Sequence, residues 1–208
     1  MKRTVLAIPD SGPLISLGVA NQLEILHKLE MPIYVVDQVL YECTNDLTRL
    51  GAIAIVTFIE NNPHCVHVEE TFVGKAAKQE RESGIKKRHR GLGEAAIAEF
   101  FAHLDEKIAP LEPVLILFED SDVRRINAFI QGNAHLLSTK ALLVGMEQCH
   151  LIESAEAIWQ SILKTGRNPS DKIIEQPSPQ SLGGSYWQPI VTTKNMPSPG
   201  GLGSLPLT

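Results

Sequence analysis

The sequence predicts an α/β fold, a three-layer α/β/α sandwich around a central parallel sheet, followed by a Pro/Ser/Gly-rich C-terminal tail. Two observations predict it. Short, wholly apolar runs recur along the chain, too short for stable helices and rich in strand formers, as buried parallel strands require. Each is followed by turn residues and then by a helix-length apolar pattern, the alternation of a layered α/β domain.

Residues 4–8 read as the first strand, which delivers Asp10 to the edge of the sheet. Pro13 suits the first turn of the next helix, with Ser11 or Gly12 near its N-cap. Residues 13–19 and 21–29 then read as a helix and a second short helix. The run IYVV at 33–36 is a second buried strand, after which Asp37 caps a helix from about Gln38 that carries Glu42. Residues 49–61 are expected to be helical and 65–69 a strand. His64, Cys65 and His67 lack a second ligand pair at zinc-site spacing, so the cluster reads as ordinary strand residues.

Residues 73–90 form a basic arm, with Lys75, Lys78, Arg81, Lys86, Lys87, Arg88 and Arg90 against Glu80 and Glu82. Most such runs are solvated faces, but this one leads into Gly91-Leu92-Gly93-Glu94. Glu94 starts a helix with a regular apolar stripe, and the glycines allow its loop a close approach to something. The strand at 114–118 ends in Glu119, Asp120 and Asp122. Alternation along a strand turns Glu119 and Asp120 apart, so only one faces a crevice squarely. Residues 124–129 continue into a helix. Residues 134–137 make a last strand ending in Ser138 and Thr139, with helices at 140–149 and 154–164.

With 208 residues, 43% of them hydrophobic, the chain supports a full core in one domain, expected over residues 1–166 with the basic stretch as an insertion. Residues 167–208 are expected to be an extended or disordered tail. A net charge of −5 argues against nonspecific coating of nucleic acid and leaves room for a local basic patch. No stretch approaches a membrane span, Pro9 and Asp10 interrupt the first apolar run too early for a signal-peptide core, and the three cysteines lack disulfide-framework spacing. A cytoplasmic location is the expectation.

If the first and fourth strands are neighbours, Asp10, Asp120 and Asp122 meet at one crevice, with Glu42 and Glu94 supplied by helix starts. Packed carboxylates raise one another's pKa unless a cation neutralises them. Hard oxygen donors suit Mg2+ or Mn2+ rather than zinc, and such ions support in-line displacement at a phosphodiester. Ser11 and Thr139 are placed to orient a water or a phosphate oxygen.

In order, DSGPLISL, the Glu42 helix start, GLGEAAIAEF, LFEDSDVRR and LLSTKALL resemble the PIN domain, the metal-dependent ribonuclease fold of VapC-type toxins, and most closely a bacterial PIN-like subgroup. The resemblance covers roughly residues 4–164. It implies Mg2+- or Mn2+-dependent RNA cleavage, and often a homodimer inhibited by an antitoxin. On that resemblance Asp10, Glu42, Glu94 and Asp120 take the first to fourth acidic positions and Asp122 the additional one. Asp10, Glu94, Asp120 and Asp122 would ligate the metal, Glu42 would act through water, and Lys86, Lys87, Arg88 and Arg90 would hold the RNA backbone. The basic stretch and the tail depart from the compact toxins. A catalytically inert PIN-like binding module is the competing reading. A haloacid-dehalogenase phosphatase fits worse, because Asp10 is followed by Ser11 and Gly12 and no D-x-D motif is present.

Overall fold

The computed structural model describes residues 4–84, 90–109, 112–119 and 133–176. The strands are β1 (Ala7–Pro9), β2 (Ile33–Val36), β3 (Val66–Glu69), β4 (Val114–Phe118), β5 (Ala134–Ser138) and β6 (Glu175–Gln176). The helices are α1 (Ser11–Val19), α2 (Asp37–Thr44), α3 (Ala52–Asn61), α4 (Phe72–Glu82), α5 (Leu92–Ala102), α6 (Thr139–Gln148) and α7 (Ala155–Lys164). The six strands form one sheet in the order β3-β2-β1-β4-β5-β6, flanked by helices. Its first five strands are parallel, while β6 pairs antiparallel to β5 through Leu136 with Gln176 and Leu137 with Glu175. The sheet is therefore mixed, where the sequence predicts a parallel one.

The first and fourth strands are neighbours, as the convergence of acids requires, with Ala7, Ile8 and Pro9 opposite Leu115, Ile116 and Leu117. Every residue of β4 is buried, as a central strand covered on both faces must be. The chain order reverses between β1 and β4, so a crevice opens beyond their carboxyl ends. Ligands of open α/β sheets gather at that place.

Local chemistry accounts for several element ends. Thr71, Ser138 and Ser154 each accept a main-chain N–H of the helix they precede, capping α4, α6 and α7. Instead of a second α-helix, Leu23–Leu29 winds as a 3-10 helix, bracketed by Asn21 and Glu30 at φ of 55° and 54°. Those left-handed residues stop the segment at both sides before an α-helix has room to form.

Two expectations about chain segments change. The first half of the basic stretch is the packed helix α4, not an arm. Arg81 lies 3.6 Å from the Tyr41 ring centroid and donates to Gln38 Oε1 at 3.2 Å, which fixes the helix against α2. Of the four cations assigned to RNA, Arg90 is exposed, while Lys86, Lys87 and Arg88 lie outside the described residues. The predicted tail also begins differently. Its first residues return along the domain: Ser138 Nα–H donates to Ile174 O at 2.9 Å, the Ile174 N–H donates to Ser138 Oγ at 3.0 Å, and β6 then extends the sheet. Residues 177–208 and the helix expected at 124–129 lie outside the described residues.

Asp37, the first residue of α2, joins that helix to α4. Its Oδ1 accepts from Thr71 Oγ at 2.8 Å, and Thr71 Oγ in turn accepts from the Gly74 N–H at 2.9 Å. A Cβ on Gly74 would collide with both Asp37 carboxylate oxygens. Gly74→Ala is therefore expected to destabilise by about 2 kcal/mol, the usual size of an overpacking defect. A lower urea midpoint at unchanged slope is the result that supports it. No described helix is long and apolar enough to cross a membrane.

Candidate functional site

Asp10, Ser11, Gly12, Glu42, Glu94, Glu119 and Arg167 line one cavity of about 380 Å³ at the carboxyl ends of β1 and β4. Three of the five acids predicted from sequence meet there. Asp120 and Asp122 lie outside the described residues, and among the described residues the acid supplied by the end of β4 is Glu119.

Asp10 is fixed by the sheet before its side chain is considered, because its N–H donates to Leu117 O at 2.9 Å. It stands at the N-cap of α1, yet its carboxylate makes no capping bond to that helix. The side chain instead accepts from the Ser11 N–H and faces the other acids. Burial, with Glu94, Glu42 and Glu119 adding repulsion, pushes its carboxyl up to about 7 against the pull of that one bond. The ordinary role of a helix-capping aspartate therefore does not describe Asp10.

Glu42 rises for the same leading reason, burial, with Glu94 contributing; the Gln38 side chain, the Gly93 N–H and the Ser11 hydroxyl hold it back. Gln38 Nε2 donates to Glu42 Oε1 at 3.0 Å. A Cβ on Gly93 would stand 2.9 Å from Glu42 Oε2, so the glycine lets the start of α5 abut this carboxylate. That is the close approach the Gly-Leu-Gly-Glu stretch predicts. Glu94 follows at the first turn of α5, and no described residue makes a hydrogen bond or ion pair to it.

Glu119 is 7% exposed and has a partner for each oxygen. Thr139 Oγ donates to its Oε1 at 3.1 Å and Arg167 Nη2 to its Oε2 at 2.7 Å. Thr139 is fully buried, so it acts on the site through Glu119. Ser11, by contrast, lines the cavity and donates to Glu42.

Arg167 is the residue that sequence reasoning missed. Its Nη2 also donates to Gly12 O at 3.1 Å and its Nε to Ser16 Oγ, a hydroxyl with no exposed surface. No periodicity announces a contact 151 residues away in sequence. The available signal is a lone arginine directly after the last helix, ahead of a segment with no helical pattern.

These partners decide which carboxylates remain for a cation. Among the described residues no three His, Cys, Asp or Glu side chains are arranged to hold a metal ion. Among the described residues Glu42 and Glu119 already face side-chain donors, whereas Asp10 faces only the Ser11 N–H and Glu94 no hydrogen-bond donor. Two carboxylates with water at the remaining positions suit Mg2+, which keeps several waters and takes one or two protein carboxylates beside a phosphate. The Asp10 carboxyl is raised first by burial, with the neighbouring acids adding to it. Asp10 and Glu94 are thus carboxylates of the kind a hard divalent cation takes, and both line the same cavity. Since no family model, no curated protein and no solved structure matches the chain, the assignment rests on its own residues.

Proposed function

We propose that the chain is a PIN-like endoribonuclease that cleaves RNA phosphodiester bonds with Mg2+ or Mn2+, the toxin of a toxin-antitoxin or related defence pair. The observation that carries this reading is the meeting of Asp10, Glu42 and Glu94, from three separate stretches of chain, with Glu119 at the β1/β4 switch point. Asp10 and Glu94 bind the cation, which when present supplies Lewis acidity toward the phosphodiester. Glu42 keeps Ser11 oriented at the cavity wall. Glu119 holds Arg167 beside the acids. In this reading the partners are RNA, an antitoxin protein and a second copy of the chain.

The test is cleavage of end-labelled single-stranded and hairpin RNAs with magnesium, manganese or chelator. Asp10→Asn and Glu94→Gln are each expected to lower metal-dependent cleavage by more than the about 10–100-fold loss typical of outer-shell partners. Full cutting by both variants would end the proposal. A second reading, an inert binding module, draws on the guanidinium already resident in the cavity. It predicts no cleavage by any form.

A further inference from the structure

The geometry points to Arg167 as the anion-binding residue of this cavity, the group that receives a non-bridging phosphate oxygen of a polynucleotide. The substrate class rests on the ribonuclease reading; the anion-binding role rests on the guanidinium itself. Three bonds hold that group in place, from Nε to Ser16 Oγ and from Nη2 to Gly12 O and Glu119 Oε2. Two of these partners, Ser16 and Glu119, are buried, so the orientation is set before any ligand arrives.

Arginine–carboxylate pairs frequently place both prongs of the fork on the carboxylate. Here only one nitrogen touches Glu119, because the other Glu119 oxygen accepts from Thr139. Nη1 has no partner among the described residues, and Arg167 lines the cavity with its side chain 26% exposed. Two N–H groups of a planar, permanently charged donor are thus left at the wall of an acidic pocket. Among the described residues no carboxylate accepts from Nη1, and in the reading above Asp10 and Glu94 serve the cation. A phosphate oxygen is the acceptor that a guanidinium edge and a divalent cation recognise together.

Asn168, Pro169 and Ser170 line this cavity and also a second groove of about 640 Å³, whose lining includes Lys140, paired with Glu156, together with Gln160 and Asp171. The cavity is thus bordered by a further groove on the Asn168–Ser170 side, and the polymeric substrate rests on the ribonuclease reading. Repulsion from the acids makes the anion's arrival depend on the cation, so the test includes a divalent ion throughout.

The experiment compares Glu119→Gln with Glu119→Gln/Arg167→Gln, a pair in which the Arg167 change strands no charge on Glu119, and with Arg167→Lys. Binding of end-labelled single-stranded RNA is followed by fluorescence anisotropy in calcium across a salt series, and thermal shift is measured with inorganic phosphate plus magnesium. Adding Arg167→Gln to Glu119→Gln is expected to weaken RNA binding about tenfold and to flatten the salt slope by about 0.7, the value for one phosphate contact on a single strand. Arg167→Lys is expected to keep the slope. Equal affinity and slope in the two Gln variants would reduce Arg167 to a tie for the chain, and tighter binding without the guanidinium would make it a block; either overturns the inference. If the wild-type chain binds no RNA but inorganic phosphate stabilises it only when Arg167 is present, the ribonuclease reading fails and the anion site stands. If neither ligand binds, the anion site fails, whatever cleavage shows.

Discussion

In chelator at pH 7.5, Asp10→Asn is expected to unfold at a higher urea midpoint than the wild-type chain, although it has lost metal-dependent cleavage. The reason is the displacement of the Asp10 carboxyl from 3.8 to about 7, caused first by burial and then by Glu94, Glu42 and Glu119. Between those two values the folded state keeps a proton that the unfolded state has released. The unfolded state therefore binds fewer protons, and stability falls as pH rises through this window. The fall levels off above about 7, where both states are ionised. A displacement of this size corresponds to at most about 4 kcal/mol, and asparagine removes it. His135 slopes the other way below its ordinary 6.5, since burial lowers its pKa, but it is present in both proteins and cancels in their difference. Midpoints that run parallel between pH 4 and 7, or a variant less stable than wild type at pH 7.5, would show that Asp10 carries no such penalty. Manganese is expected to narrow the difference, because an ion that binds only the folded wild-type chain adds about 2.7 kcal/mol at a hundred times its dissociation constant. On the ribonuclease reading, activity and stability would then be in conflict at this residue, as is common where a site gathers like charges.

The sequence makes Asp10, Glu42 and Glu94 legible because local physics marks each of them. Asp10 ends a run that can only be a buried strand, Glu42 sits on the helix that follows the second such run, and Glu94 opens a helix behind two glycines. Strand neighbours decide the rest: the parallel pairing of β1 with β2 sets Asp10 beside the helix that carries Glu42, and that of β1 with β4 sets it beside Glu119. At the end of β4 the alternation rule divides Glu119 from Asp120 without saying which side the cavity takes, and Glu119 is found on it. Arg167 could not be read the same way. Its partners Gly12, Ser16 and Glu119 belong to α1 and the β4 edge, so its role exists only after the chain has closed. The same long-range closure explains β6, two exposed residues with no strand pattern that pair because the edge of β5 is open to them. Composition alone makes that stretch look like a tail.

Arg167→Gln by itself is expected to destabilise the protein by about 3 kcal/mol, the second large effect, and Glu119→Gln added to it is expected to restore most of the loss. Removing the guanidinium leaves Glu119 as a buried carboxylate whose remaining side-chain partner is Thr139. Leaving one charge of a buried pair uncompensated costs about 3–5 kcal/mol, and the partial exposure of Arg167, at 26%, places this pair at the low end. Making both residues amides removes the charge and keeps hydrogen-bonding groups at both positions, so the loss shrinks even though the ion pair is gone. Urea midpoints of the two single variants and the double variant therefore close a cycle whose coupling is expected at about 1.5–3 kcal/mol. Strict additivity would mean that Arg167 is held by Ser16 and Gly12 alone and that Glu119 is neutralised in some other way. A strong coupling together with unchanged thermal response to manganese would separate the two halves of the cavity: Glu119 and Arg167 as a fixed pair that builds the wall, Asp10 and Glu94 as the carboxylates left for the ion. A manganese response lost in Glu119→Gln would instead make Glu119 a ligand, and Arg167 the cation that the metal displaces.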